Sequence, residues 1–257
     1  MRNIVISNSF LKVHLLILII LSACSDKPTG ENSDPVKTQQ PVVEKKEEVE
    51  ASPGPLEKSL IEQGLVNIQQ VDTSILVDLK YSTEDNFFGA DVYGDLTKAY
   101  LPEDVAFKLK KAHLMLQELY PTCRFMVFDA VRPHGVQQIL WRSLDSIPPL
   151  NRAAYVADPA EGSLHNYGCA IDLSIFDLAA DSLLDMGTKY DYFGALAYPR
   201  KEDYLLSEGL LTLKQVENRK ILRGVMEKAG FTPITSEWWH FNSTSLANAK
   251  IKYPRIE

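Results

Sequence analysis

The chain has 257 residues, 45% of them hydrophobic and 24% charged, enough for one sizeable folded domain plus accessory segments. Its 34 acidic residues outnumber 27 basic ones for a net charge of −7, the wrong sign for a nucleic-acid binder. Three cysteines do not make a disulfide framework at this length; Cys123 and Cys169 would pair only on neighbouring strands, and read better as two buried free thiols.

Residues 1–24 carry Arg2 and Lys12 ahead of an apolar run from Leu15 to Leu21, the pattern of a secretory signal. The run is shorter than the about 20 apolar residues that a membrane-spanning helix needs. It ends in Leu21-Ser22-Ala23-Cys24, which resembles the lipobox of bacterial lipoproteins. That resemblance implies that Cys24 is lipidated, becomes the mature N-terminus and anchors the protein on a membrane of the bacterial cell envelope, with the folded part outside the cytoplasm. An ordinary signal peptide with a chance cysteine is the alternative. Residues 25–57 hold five prolines, charge runs such as Glu44-Lys45-Lys46-Glu47-Glu48 and few large apolar side chains. Such a segment buries too little surface to offset its ordering entropy, so a disordered tether is expected, with a partner-binding segment as the alternative. The folded domain is expected over residues 58–257.

Val71 to Tyr81 places Ile75, Val77, Leu79 and Tyr81 on one face of a first strand. Pro102 then opens a helix in which Val105, Leu109, Ala112, Leu116 and Leu119 form one apolar stripe. His113 lies beside that stripe and reads as a packed helix residue rather than a ligand. Pro121 ends the helix, and Arg124 to Asp129 reads as a strand buried on both faces. Arg132 precedes Pro133, which holds Arg132 extended at a strand-to-helix turn and lets Pro133 begin the next helix. A salt bridge to Asp129 is its purely structural reading, and His134 reads as a polar first-turn residue. Residues 145–160 read as an irregular loop.

Glu161 to Ile175, EGSLHNYGCAIDLSI, runs from a polar loop into a strand. Cys169, Ile171, Leu173 and Ile175 share one strand face, so Asp172 points to the other. A histidine at the strand's entrance (His165) and this aspartate can converge on one cation, since imidazole and carboxylate both suit zinc. A loop histidine beside a solvated edge-strand aspartate is the alternative. The stretch from Ile175 to Asp191 reads as a long excursion. Thr212-x-x-Gln215 is a capping-box pattern for a helix that runs to Ala229 and stops at Gly230. Near the C-terminus Ser236-Glu237-Trp238-Trp239-His240-Phe241 offers an acid and a histidine that can supply the general base and a further ligand of a hydrolytic zinc centre. On a flat strand Glu237 and His240 would face opposite ways, so a bulge, strong twist or strand end is needed between them. An aromatic core strand with a satisfied histidine is the alternative. There is no internal repeat, Gly-rich phosphate loop or redox CxxC.

The two halves together, SLHNYGCAID and EWWH, resemble the zinc signature of the D-alanyl-D-alanine dipeptidases of the VanX type, related in fold to zinc D,D-carboxypeptidases and the hedgehog signalling domain. The resemblance extends to VDLKYSTEDNF (77–87), FDAVRP (128–133) and DMGTKYD (185–191), and covers roughly residues 65 to 255. It implies an α+β domain with a small, mainly antiparallel sheet, helices packed on one side and the metal on the open face. It implies one zinc per chain held by His165, Asp172 and His240, Glu237 as general base and acid, and Arg132 as the stabiliser of the developing oxyanion. Tyr81 and Asp191 would receive the substrate's ammonium, and Ser163 its carboxylate. The implied substrate is D-alanyl-D-alanine or a close relative; no protein partner and no nucleic acid is expected. Val131 stands where that family usually has an aromatic residue, and Cys169 where a small residue is usual. A zinc carboxypeptidase or endopeptidase on longer peptidoglycan peptides would use the same metal set, and a non-catalytic envelope-binding lipoprotein is the non-enzyme alternative, although Glu237 and all three ligands are present.

Overall fold

A proline-led helix opens the computed structural model, which describes residues 52–257; the leader, Cys24 and the tether as far as residue 51 lie outside the described residues. The first half runs α1 (Pro55–Glu62), β1 (Val66–Asn67), α2 (Ile68–Val71), β2 (Leu76–Val77), β3 (Tyr100–Leu101), α3 (Glu103–Leu119) and β4 (Cys123–Asp129). The second runs α4 (His134–Ser143), α5 (Pro149–Arg152), β5 (Ala170–Asp177), β6 (Ser182–Leu183), α6 (Glu202–Ser207), α7 (Leu213–Ala229), β7 (Thr232–Pro233), β8 (His240–Asn242) and α8 (Leu246–Lys252). Helix α1 begins ahead of the expected boundary at residue 58. Pro55 is the helix's first residue rather than a mark of disorder, and Glu57 is buried, accepting a hydrogen bond from the Tyr100 hydroxyl at 2.6 Å and pairing with Lys98 at 3.1 Å.

Six strands form one sheet in the order β2-β4-β5-β8-β7, with β6 paired to the far end of β5. The β2-β4 pairing is parallel and the others are antiparallel. A separate antiparallel ribbon joins β1 to β3. This is an α+β fold with a small, mainly antiparallel sheet. The register pairs Phe125 with Ile175 and Val127 with Leu173, so these four and Ile171 share one sheet face. They pack in one core with Val105, Leu109, Ala112 and Leu116 of α3 and Leu222, Val225 and Met226 of α7. Each such side chain contributes about 1.5–3 kcal/mol on burial. Leu119 drops out of the stripe and is 59% exposed, because the helix ends there and the chain turns away through Pro121.

The expected strand over Val71 to Tyr81 shrinks to the two residues of β2. Asp72 accepts hydrogen bonds from the Ser74 amide at 3.0 Å and its hydroxyl at 2.6 Å, a side-chain turn that competes with the ladder. The period-2 burial still survives, with Ile75, Leu79 and Tyr81 buried. Strand β4 is not buried on both faces throughout: Arg124 and Met126 are half-buried, and both faces close only over Val127–Asp129, where the register also slips. The irregular 145–160 stretch contains α5, and the excursion after β5 contains β6. Helix α7 has both capping-box hydrogen bonds between Thr212 and Gln215 and ends at Gly230 with φ 96°. His113 is buried against Asp72, His134 stands in the first turn of α4 and is buried, and Cys123 and Cys169 are buried free thiols.

Candidate active site

With Ile171 and Leu173 in the core, Asp172 must project from the opposite face of β5, where its register partner on β8 is His240. Directly opposed residues on neighbouring strands bring their side chains together, and His240 Nδ1 lies 2.9 Å from Asp172 Oδ1. On its other side Asp172 is opposed by Asp129 of β4. The spacing of Glu237 and His240 is resolved by bends at residues 235–236 and 238–239. Glu237 therefore sits in the connection before the strand and approaches His240 Nδ1 to 3.9 Å.

His165 arrives from a one-turn 3-10 helix, Leu164–Tyr167, capped by Ser163. The Ser163 hydroxyl accepts from the His165 amide, and the Ser163 amide donates to Asn166 Oδ1 at 2.8 Å. Gly168 ends the turn at φ 60°, and a Cβ there would stand 2.5 Å from the Pro102 ring, so only glycine lets the chain pass into β5. The turn is strapped to the Arg132 segment: the Arg132 amide donates to the His165 carbonyl at 3.0 Å, and Asn166 Nδ2 donates to the Arg132 carbonyl at 2.8 Å.

His165 Nε2, His240 Nδ1 and Asp172 Oδ1 converge. The two nitrogens are 3.2 Å apart, His165 Nε2 is 3.5 Å from the carboxylate oxygen, and the whole set lies within 4.8 Å. The outer nitrogen of each ring is committed elsewhere. His165 Nδ1 donates to the Ala130 carbonyl at 2.7 Å, and His240 Nε2 donates to Asn242 Oδ1 at 2.8 Å. With neutral rings these bonds set the tautomers that turn both inner nitrogens' lone pairs toward Asp172, so that a cation, or in its absence a proton, is needed among the three atoms. A cation bound there satisfies all three, and two imidazoles plus a carboxylate suit zinc. Without a cation the same focus holds a proton between His240 and Asp172. Burial works against the charge of His240, but the hydrogen bond and charge of Asp172 push its pKa up to about 9. Burial alone would raise Asp172, yet the imidazoles of His165 and His240 hold it far below the usual carboxylate range.

Glu237 is partly buried, and its pKa is raised by burial and by Asp172 against the pull of His240, His165 and Arg132. A carboxyl tuned upward beside these ligand atoms is better suited to take up and return a proton than an ordinary glutamate. Arg132 does bridge to Asp129, with Nε donating at 2.9 Å, and also donates to Gln137 Oε1 at 3.1 Å. Its Nη2 is 3.8 Å from Asp172 Oδ2, and the guanidinium lies over the Tyr81 ring at 4.9 Å. The Tyr81 hydroxyl donates to Asp191 Oδ2 at 3.0 Å. Asp191 holds a left-handed backbone (φ 57°), and burial and the nearby Asp172 push its carboxyl well above the usual range. Such a carboxylate gains most from a cationic ligand.

All eight sequence-derived residues, Tyr81, Arg132, Ser163, His165, Asp172, Asp191, Glu237 and His240, line one cavity of about 450 Å³. Part of its wall is aromatic, with Phe193 packed edge-on against Tyr155 at 5.0 Å and Phe87 at 4.9 Å. Sequence reasoning missed Tyr190, whose hydroxyl donates to Asp172 Oδ2 at 3.0 Å, and Asn242, which orients His240. It also missed Tyr93, which donates to Asp129 Oδ1 at 2.6 Å and so holds the partner of Arg132. Asn242 had a signal, two residues beyond His240 on the same strand face, and Tyr190 stands beside Asp191 in the DMGTKYD block; Tyr93 had none.

Two imidazoles and a carboxylate share one focus with a raised glutamate beside them, and charged groups of both signs line the cavity around them: this is the equipment of a metallopeptidase. The chain belongs to the D-ala-D-ala dipeptidase family of peptidases (M15), whose sequence profile matches residues 61–255. D-alanyl-D-alanine dipeptidase of Escherichia coli is 30% identical over 184 residues, 72% of this chain and 86% of that protein. The enzymes of the same name from Enterococcus faecium and Streptomyces coelicolor are each 25% identical, over 70% and 68% of this chain and 92% and 88% of their own lengths. A solved LD-carboxypeptidase overlaps 59% of this chain and 63% of its own with a TM-score of 0.36 and 18% identity, a distant likeness.

Proposed function

We propose that this metallopeptidase is a zinc enzyme that hydrolyses D-alanyl-D-alanine, or a closely related D,D-dipeptide, to free amino acids at the bacterial cell envelope. His165, Asp172 and His240 hold one zinc per chain; when bound, it supplies Lewis-acid polarisation of the scissile carbonyl and acidifies a water. Glu237 accepts the proton of the attacking water and returns it to the leaving amine, a role its raised pKa supports. Arg132, already held by Asp129 and Gln137, donates to the oxygen on which charge develops. Asp191, fixed by Tyr81, receives the substrate's ammonium, and Ser163 contributes to binding its carboxylate. Tyr190 and Asn242 keep Asp172 and His240 in place.

The observation that carries this reading is Asp191, a raised carboxyl whose one hydrogen-bond partner among the described residues is a tyrosine hydroxyl, on the same cavity as His165, Asp172 and His240. A free α-ammonium supplies the charge it lacks, whereas a blocked or extended peptide leaves it unpaired. The lipobox-like Leu21 to Cys24 supports a lipid anchor at Cys24 and a location outside the cytoplasm. A panel of D,D, L,D and L,L dipeptides beside N-acetylated and longer D-Ala-D-Ala peptides tests the assignment. Selective cleavage of free D,D-dipeptides supports it, and preference for the longer peptides replaces it with a carboxypeptidase or endopeptidase.

A further inference from the structure

A dipeptide zwitterion carries two charges, and the cavity's charged groups treat them unequally. The ammonium end has Asp191. At the carboxylate end Ser163 is neutral: its hydroxyl oxygen accepts from the His165 amide, which leaves its proton to donate but supplies no charge. Arg132 is committed to Asp129, with Nε donating at 2.9 Å. The cavity has one further arginine on its wall, Arg200, in the short 3-10 turn Pro199–Lys201.

Arg200 forms no ion pair with any acid among the described residues. Its guanidinium lies over the Tyr198 ring at 4.8 Å, and Nη1 donates to Thr235 Oγ1 at 3.4 Å, two residues before Glu237. Tyr198 itself is half-buried and also lines the cavity. Stacking on one ring and bonding to one hydroxyl aligns a guanidinium while leaving most of its five donors unused, and a planar donor fork matches a carboxylate.

Resting on the peptidase reading above, we propose that Arg200 is a substrate-positioning residue that pairs with the free C-terminal carboxylate of the scissile peptide. The cavity then reads both ends of its substrate by charge, Asp191 at one and Arg200 at the other. Tyr198 and Thr235 are the supports that aim Arg200.

The test compares D-alanyl-D-alanine with its C-terminal amide by calorimetric binding in a Glu237→Ala background, and by kcat/KM in the otherwise wild-type enzyme. Arg200→Gln should lower the preference for the free acid over the amide about tenfold, the size of one charge-assisted hydrogen bond at a partly exposed site, mainly through KM. Arg200→Lys should restore part of that preference. A preference unchanged in Arg200→Gln, or equal losses for acid and amide, overturns the assignment while leaving the peptidase reading intact. Failure of the parent protein to bind or cleave either compound overturns both.

Discussion

His240 and Asp172 are direct register partners on adjacent antiparallel strands, and their facing atoms, Nδ1 and Oδ1, lie 2.9 Å apart. The ladder itself therefore sets two of the three proposed metal ligands, and only His165 has to be delivered by a loop.

That division predicts how metal is lost. His240→Ala should lose most of the bound zinc, whereas Asn242→Ala, which removes only the bond that orients the ring, should weaken affinity by about 10- to 100-fold. His113→Ala, bonded to Asp72 away from the cluster, should keep full stoichiometry. Metal analysis after dialysis against graded chelator separates these outcomes, and full zinc in His240→Ala would mean a different ligand set.

The same contact predicts a pH dependence in metal-free protein. His240 is raised from 6.5 to about 9, so its contribution to stability is complete below about pH 6.5 and is lost as pH rises through about 9. Asp172 is lowered from 3.8, so its contribution is present above that pH and is lost on acidification. Both shifts describe one ion pair and count once. Melting of the metal-free protein should therefore shift downward between about pH 6.5 and 9, and His240→Ala should flatten that slope. An equal slope in the variant would place the effect elsewhere.

At the ammonium end, Asp191→Asn should cut kcat/KM for the free dipeptide by at least about tenfold, because the amide cannot pair the substrate's charge. N-acetyl-D-Ala-D-Ala, a poor substrate of the parent enzyme, should lose far less. Parallel losses on both compounds would give Asp191 a structural role in its strained turn instead.

The N-terminal proposal stands apart from the fold. Cys24→Ser should release the protein from membranes or leave it as an unprocessed precursor, as fractionation would reveal. Membrane association unchanged in a correctly processed variant would point to an anchor other than lipid.

The helices α3 and α7 and the strand β5 were legible in the sequence because each rests on a local rule, a proline start, a capping box or a period-2 alternation; His165, Asp172, Glu237 and His240 stood out by residue type and spacing and Arg132 by its place before Pro133, whereas Tyr81, Ser163 and Asp191 came from the family resemblance alone. The first strand was not, since the turn at Asp72 depends on a hydroxyl two residues on and a histidine in another helix. Helix α1 was misread because proline and charge mark both a tether and a helix start, and the burial of Glu57 depends on Lys98 and Tyr100, far along the chain. The Glu237 to His240 spacing was recognised as inconsistent with a flat strand, and the bends that resolve it lie between β7 and β8. Tyr190 meets Asp172, and Arg200 reaches the cavity wall, only through the path of the chain between β5 and α6, which no local pattern encodes.

The central claim is that Glu237 moves protons at a metal centre it does not build. The most direct test measures zinc content and D-alanine release side by side for the parent enzyme, Glu237→Ala and Glu237→Gln. The account predicts one zinc per chain in all three, with turnover lower by about 10²- to 10⁴-fold in both variants. It also predicts an acidic limb of kcat/KM in the parent enzyme above the ordinary glutamate value of 4.5, in the direction of the raised Glu237 carboxyl. Near-normal turnover in zinc-loaded Glu237→Ala would contradict it, and the base would have to be sought elsewhere around the metal.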